Sequence, residues 1–580
     1  MSTTPQTSKG RRSGSPRRRW LAGGAAGLLA GVAAVAASEA VAALVNGVTS
    51  PLLAVGNRAV DATPRPLKEF AIEKFGSNDK AVLIGGVVAT VAVLALLIGV
   101  VGVRRPRVAL GAFLVLSAVA TAAGLTDRSS TASPVLRLLP ALALVVVGVV
   151  ALLLLLRTLR SPATAPTGSA GSAAPEEPAH RSSSDEPAQR GPSDKGVETV
   201  EGGKSRLLVG DLLPAHVEGD QLPAAFDRRA FLATAVAVGA IAAAGGVVRQ
   251  TFGGSAAAAE RADITIPKPA SPAPSLASGT SLDIPGISPF LTSNKEFYRV
   301  DTALRVPDVP IDGFNLRIHG MVDKELNLSF EDLLSRKMIE KRITLTCVSN
   351  PVGGKYLGNA TWIGVPIRDL LEEAGVKSGA DAVKSTSADN MTIGTPLQAL
   401  NDANRDAILA VAMNGEPLPL EHGFPVRMVV PGLYGYVSAT KWLVDLEVTR
   451  FADFKAYWST RGYSVKAPIK TSSRIDVPKS FAQVKTGEKT MVAGVAWSQD
   501  RGIKKVEVRV DGGQWQEATL ADQDNIDTWR QWKYEWKPSS GGHTVEVRAT
   551  DDSGYTQTDK RVPIAPNGST GWHSVNVTGS

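Results

Sequence analysis

Hydrophobic and polar positions divide the chain into an apolar front, a polar gap and a strand-rich back. Five apolar stretches, at residues 20–45, 81–103, 108–125, 135–156 and 231–248, show no amphipathic period. Each is close to the ~20 residues that cross a bilayer core, so the pattern predicts a five-helix transmembrane region. Four spans fall within residues 1–160. A stretch rich in Pro, Ala, Ser, Gly and Glu follows at 161–226, with too little apolar surface to fold, and reads as a disordered linker. The fifth span occupies 227–250, and an Ala/Pro/Ser tether is predicted at 251–283.

Beyond the tether the period shortens. Over residues 284–465, strand-like runs at 316–320, 343–347 and 425–430 alternate with short helical runs at 330–335 and 367–374. Ser329 is placed to cap the first of these helices and Gly375 to end the second. This is an α+β pattern, without the regular βαβ repeat of a dinucleotide-binding fold and without a Gly-rich phosphate loop at a strand–helix junction. Residues 466–566 carry period-two strands at 491–497, 503–510, 532–536 and 543–549, separated by Gly-rich turns. They predict an all-β immunoglobulin-like sandwich with no disulfide, its Trp side chains in the core. Residues 567–580 read as a C-terminal tail.

Charge orients the spans. Arg11, Arg12, Arg17, Arg18 and Arg19 precede the first, Arg104, Arg105 and Arg107 fill the second loop, and Arg157 and Arg160 follow the fourth. The positive-inside rule then places the N-terminus in the cytoplasm and everything after about residue 250 outside the cytoplasmic membrane, with lipid as one partner. The 49–80 loop, with several Lys and Arg, fits this less well. Glu39 lies late in the first span, either at the outer interface or as a functional carboxylate. Asp227-Arg228-Arg229-Ala230-Phe231-Leu232, ahead of the last span, resembles a twin-arginine export signal, which carries folded cargo. No nucleic-acid partner is expected.

Cys347 is the single cysteine in 580 residues. One thiol forms no intramolecular disulfide, CxxC pair or Cys-only metal site. It is either a buried hydrophobe or one thiolate ligand to a soft metal whose remaining ligands come from a cofactor.

Its surroundings carry a resemblance. The run from Thr344 through Cys347 to Asn350, then Gly358-Asn359-Ala360-Thr361-Trp362 and on to Asp369, resembles the molybdopterin domain of the sulfite oxidase family. So does Met413-Asn414-Gly415-Glu416, continuing through His422 and Arg427 to Pro431, and the run Ser438-Ala439-Thr440-Lys441-Trp442. The resemblance implies a sulfite-oxidase-type molybdopterin fold, a molybdenum–molybdopterin cofactor and Cys347 as the protein ligand to molybdenum. It further implies Cys347 and Arg299 as catalytic residues, and a cofactor held by Arg299, Asp301, Asp389, His422, Arg427, Ser438, Thr440 and Lys441. Residues 466–566 resemble the dimerisation domain of the same family, which implies a homodimer.

Departures bear on the substrate. Asn350 is followed by Pro351-Val352-Gly353-Gly354 with no arginine, Gly435 to Ala439 holds none either, and Asp301 stands where the family has a histidine. A pocket poorer in positive charge holds a sulfite-like dianion less well. The small-molecule substrate is therefore open between a sulfur compound to be oxidised and an S- or N-oxide to be reduced. None of the six histidines lies in a span and CxxCH cannot form, so no haem is expected. The two electrons of oxygen-atom transfer then require a separate carrier, a cytochrome or a quinone, and the spans read as an anchor. The competing reading is a cofactor-free, membrane-tethered scaffold.

Overall fold

The computed structural model describes residues 16–64 (46 aside), 67, 70, 79–160 (128 and 131 aside) and 227–580 (253 and 254 aside). The expected linker at 161–226 and the Arg11–Arg12 pair lie outside the described residues. The chain forms two compact units.

The first unit holds most of the apolar helices: α1 (Pro16–Leu44), the main length of α3 (Asp79–Arg104), α4 (Pro106–Leu125), α5 (Pro134–Arg160) and α6 (Arg228–Phe252), with α2 (Pro51–Ala62) falling in the second unit. Five of the described helices are long and apolar enough to cross a membrane, matching the five predicted stretches. Glycine allows two of them to touch backbone to backbone. A Cβ on Gly27 would lie 2.0 Å from the Ala95 carbonyl, and one on Gly99 would lie 2.1 Å from that of Gly23. Close approach through small residues is how helices pack where no hydrophobic drive separates them from lipid.

The second unit takes in residues 45–85, 123–137 and 251–580. After α7 (Ala256–Asp263), strands β1 (Leu316–Gly320), β2 (Leu326–Leu328), β3 (Ile339–Thr346), β4 (Leu357–Pro366), β5 (Ala382–Ser387), β6 (Thr392–Pro396), β7 (Ile408–Met413), β8 (Glu416–Pro417), β9 (Arg427–Val429) and β10 (Leu443–Thr449) build two sheets, the first mixed and the second antiparallel. Their orders are β2-β1-β10-β5-β6 and β3-β4-β7-β8, with β9 paired to β7. All six residues of β7 are buried, as a strand covered on both faces requires. Helix α8 (Phe330–Leu334) begins in a full capping box between Ser329 and Asp332, and α9 (Ile367–Ala374) ends at Gly375 with φ 69°, as expected. A short α10 (Leu397–Asn401) completes this part.

The C-terminal residues form two further sheets from β11 (Ser472–Val477), β12 (Gln483–Val484), β13 (Thr490–Trp497), β14 (Ile503–Val510), β15 (Gln516–Glu517), β16 (Thr519–Leu520), β17 (Arg530–Trp536), β18 (Gly541–Asp551) and β19 (His573–Gly579). Val492, Ala496 and Trp532 from one sheet share a core with Val506, Val547 and Val575 from the other.

Three expectations are corrected. The 251–283 tether is an ordered strap: Ala257 is fully buried, Glu260 accepts the Ile311 amide at 2.5 Å, and Ser271 forms a parallel bridge to Ile339. Its Ala-rich composition hid the few polar anchors that fix it. The 567–580 tail contains β19, a strand hydrogen-bonded on both sides, whose alternating His573–Gly579 pattern buries Val575 and Val577. Trp515 leaves the core to stack between charges, with the Arg509 and Arg548 guanidinium carbons 4.7 and 4.3 Å from its ring centre.

Candidate active site

Cys347 directly follows β3, and the chain turns sharply behind it. Its amide donates to the Tyr356 carbonyl at 2.9 Å, and the Asn350 side-chain oxygen accepts the Tyr356 amide at 2.9 Å, closing a loop over residues 347–356. The C-terminal sheets pin that loop and the strand leading into it. Gln499 donates to the Thr344 carbonyl at 2.8 Å, Trp529 donates its amide to the Thr344 hydroxyl at 2.8 Å, and Arg474 donates to the Gly354 carbonyl at 2.7 Å. Gly353 sits at φ +76° under the His573 ring, where a Cβ would lie 2.2 Å from Cδ2. A larger residue does not fit there.

The thiol opens into a cleft of about 850 Å³, counting the space open to solvent. Six sequence-predicted residues line it together: Asp301, Cys347, Asp389, His422, Arg427 and Lys441. Three others do not. The Arg299 Nε donates to Asp301 at 2.9 Å from outside, with its side chain 36% exposed. Ser438 donates its hydroxyl to the Leu433 and Tyr434 carbonyls, and Thr440 pairs with the Ser385 hydroxyl at 2.6 Å. Sequence reasoning missed Tyr298, Trp458 and Tyr463, which also line the cleft. Tyr298 adjoins Arg299 and was within reach of the motif. Trp458 and Tyr463 follow β10 and carry no local signal.

Burial governs the charges. It pushes the Cys347 thiol up, against the opposing Ser349 amide (3.4 Å from Sγ) and Lys441. Burial also raises Tyr298, with Cys347 adding to the effect and Arg427 opposing it. His422 falls to about 4 because it is buried and faces Arg427 and Lys441, while the Asn294 carbonyl, 2.8 Å from Nε2, acts in the opposite sense. A carbonyl accepts only, so the neutral ring carries its proton on Nε2. Lys441 falls to about 8 through burial, partly offset by Asp301 at 2.8 Å. For Asp301 burial acts upward, but Lys441, Lys80 and Arg299 together hold the carboxyl well below its usual range.

Arg427 is the exposed question of the site. It is 5% accessible, donates to the His422 carbonyl at 3.0 Å, lies 5.0 Å over the Trp362 ring and makes no ion pair among the described residues. Burial lowers it only to about 10, so it stays charged. A buried cation without a counter-ion is costly unless an anion fills the space beside it. No cluster of three or more His, Cys, Asp or Glu stands ready to hold a metal among the described residues. A metal at Cys347 would thus draw its other ligands from a cofactor, and an anionic one would satisfy Arg427. The donor set fits such a group.

A family model described as an oxidoreductase molybdopterin binding domain matches residues 303–458. Sulfite oxidase of Gallus gallus is 32% identical over 323 residues, covering 47% of this chain and 70% of that protein. The uncharacterized oxidoreductase YuiH of Bacillus subtilis is 36% identical over 167 residues, covering 28% of this chain and 80% of YuiH. Mitochondrial sulfite oxidase of Mus musculus is 30% identical, covers 50% of this chain, and is itself spanned over only 61% of its length. Among solved structures, the sulfane dehydrogenase SoxCD from Paracoccus pantotrophus aligns with a TM-score of 0.44 at 24% identity, covering 50% of this chain and 81% of that one.

Proposed function

The chain belongs to the sulfite oxidase family, and on that footing we propose that it is a membrane-associated, molybdopterin-dependent oxidoreductase with Cys347 as the protein's ligand to molybdenum. The observation that carries the reading is the buried Cys347 thiol sharing one cleft with a buried, unpaired Arg427. The bound cofactor supplies two-electron, oxygen-atom-transfer chemistry. The chain's residues would do the holding: Arg427 and Lys441 offer charge-assisted hydrogen bonds to its anionic groups, and Asp389 and neutral His422 also line the cleft. Cys347 would hold the metal as a thiolate, giving up its proton, since only a thiolate ligates. Arg299 acts through Asp301, orienting the carboxylate that holds Lys441.

The catalytic unit lies outside the cytoplasmic membrane in this reading, delivered folded by the Arg228–Arg229 signal. The C-terminal β-sheets are an immunoglobulin-like dimerisation domain. Electrons pass to or from a separate cytochrome or quinone. With Pro351 and Val352 where a cationic pocket would need arginine, the substrate is a neutral sulfur compound, S-oxide or N-oxide in preference to a dianion. Molybdenum and pterin analysis of the purified full-length protein tests this. One molybdenum per chain is expected, and Cys347→Ser should lose turnover and the metal's thiolate spectral signature while unfolding at the same temperature. A folded protein without molybdenum or pterin sinks the proposal.

A further inference from the structure

Lys80 begins α3, the second candidate span, yet its ammonium does not stay with that helix. It reaches the Asp301 carboxylate and donates to the Ala303 carbonyl at 2.7 Å, 223 residues along the chain. Asp301 is 4% exposed and faces the cleft, and three cations share it: Lys80, Arg299 and Lys441. A second contact is made by α2. Asp61, at the end of α2, accepts from the Tyr457 hydroxyl at 2.9 Å and pairs with Arg461 at 3.2 Å, next to the cleft-lining Trp458. Earlier in α2, Gly56 packs on Leu304, which a Cβ would approach to 2.8 Å.

We propose that Lys80, at the start of α3, is a working part of the cleft, a positioning residue that sets how strongly the cleft binds anions. The chemistry follows from the sharing. Asp301 has one negative charge to divide. With Lys80 in place, Lys441 is only partly neutralised and keeps attraction for an oxyanion or phosphate-bearing ligand. Without Lys80, Asp301 turns wholly to Lys441 and Arg299, and one positive charge leaves the rim. Both changes weaken anion binding. Residues 348–354 and 435–439 hold no arginine, and Lys80 brings charge to the same cleft from a distant part of the chain. The inference rests on the cleft being a cofactor site but is separable from it.

The test uses the full-length chain in detergent as Lys80→Met and Lys80→Arg. Metal-free protein is titrated with inorganic phosphate and followed by thermal shift. Wild type should be stabilised by phosphate, Lys80→Met should need about tenfold more for the same shift, and Lys80→Arg should recover most of the difference. Molybdenum and pterin per chain, measured on protein made with cofactor supply, should fall at least twofold in Lys80→Met alone. Equal phosphate titrations for wild type and Lys80→Met overturn the proposal, as does a wild type that ignores phosphate. A Lys80→Met protein that is unfolded by circular dichroism before titration transfers the test to Lys80→Gln. Wild type lacking molybdenum and pterin counts against the cofactor reading only, because the phosphate titration stands without it.

Discussion

Mild acid should loosen the clamp that the C-terminal sheet places on the cysteine loop, through one histidine. The His573 ring lies over Gly353, and its Nδ1 accepts the Ile475 amide at 3.0 Å, so the neutral ring carries its proton on Nε2. Burial lowers its pKa to about 4, and Arg474, Arg561 and Lys479 add to the effect while Asp476 opposes it. The unfolded chain takes up a proton near pH 6.5, before the native one does, so stability rises with pH across this window and is lost as pH falls from about 6.5 towards 4. Going from pH 7 to pH 5 removes about 2 kcal/mol if the ring is fully shielded. Since the ring is partly open to solvent, a loss of about 1–2 kcal/mol is the expectation. His422, also lowered to about 4, contributes in the same direction, so the wild-type curve alone does not isolate His573. His573→Asn does: its carbonyl can still accept the Ile475 amide, and it does not titrate. Urea unfolding at half-unit steps from pH 7.5 to 4.5 should show the variant's curve flatter by that amount. Parallel curves would refute the argument, because burial against Arg474 then would not be suppressing protonation.

Other outcomes follow from single contacts. Asp524→Asn leaves Arg342, 10% exposed and held bidentately at 2.7 and 2.8 Å, without its counter-ion. A loss of about 3–5 kcal/mol is expected in denaturant titrations, and that pair joins the β3 strand to the C-terminal sheets. Ser329→Ala removes the capping box of α8 and should cost about 1 kcal/mol by the same measurement, with cofactor content unchanged. Gly353→Ala should be worse than either for cofactor content, since its Cβ would overlap the His573 ring beside the Cys347 loop.

What could be read from the sequence was local. Apolar runs without a polar face marked the five long helices, because hydropathy depends only on neighbouring residues. The Cys347, His422, Arg427 and Lys441 motifs sit in contiguous stretches, and those side chains do meet in one cleft. Ser329 and Gly375 announced helix ends through their own backbone preferences. What escaped depended on partners far along the chain. Nothing around Lys80 points to Asp301, and nothing in the strap's Ala/Pro/Ser composition points to Ile339 or Ile311. Strand β19 was taken for a tail because its pairing partners, β12 and β18, are distant and its apolar positions are few. Ser438 and Thr440 belong to a matched motif, yet their hydroxyls are spent on backbone and Ser385 contacts, which only coordinates reveal.

The contacts of Lys80 with Asp301 and Ala303, and of Asp61 with Tyr457 and Arg461, also imply an order of assembly. Some 220 residues separate Lys80 from Asp301, including the whole 161–226 stretch, so this is the last kind of contact a folding chain closes. The strands around Cys347 can form and admit a bulky guest before Lys80 arrives. Its arrival then completes the cationic rim of the cleft, so the cleft's strength for an anionic guest is set last.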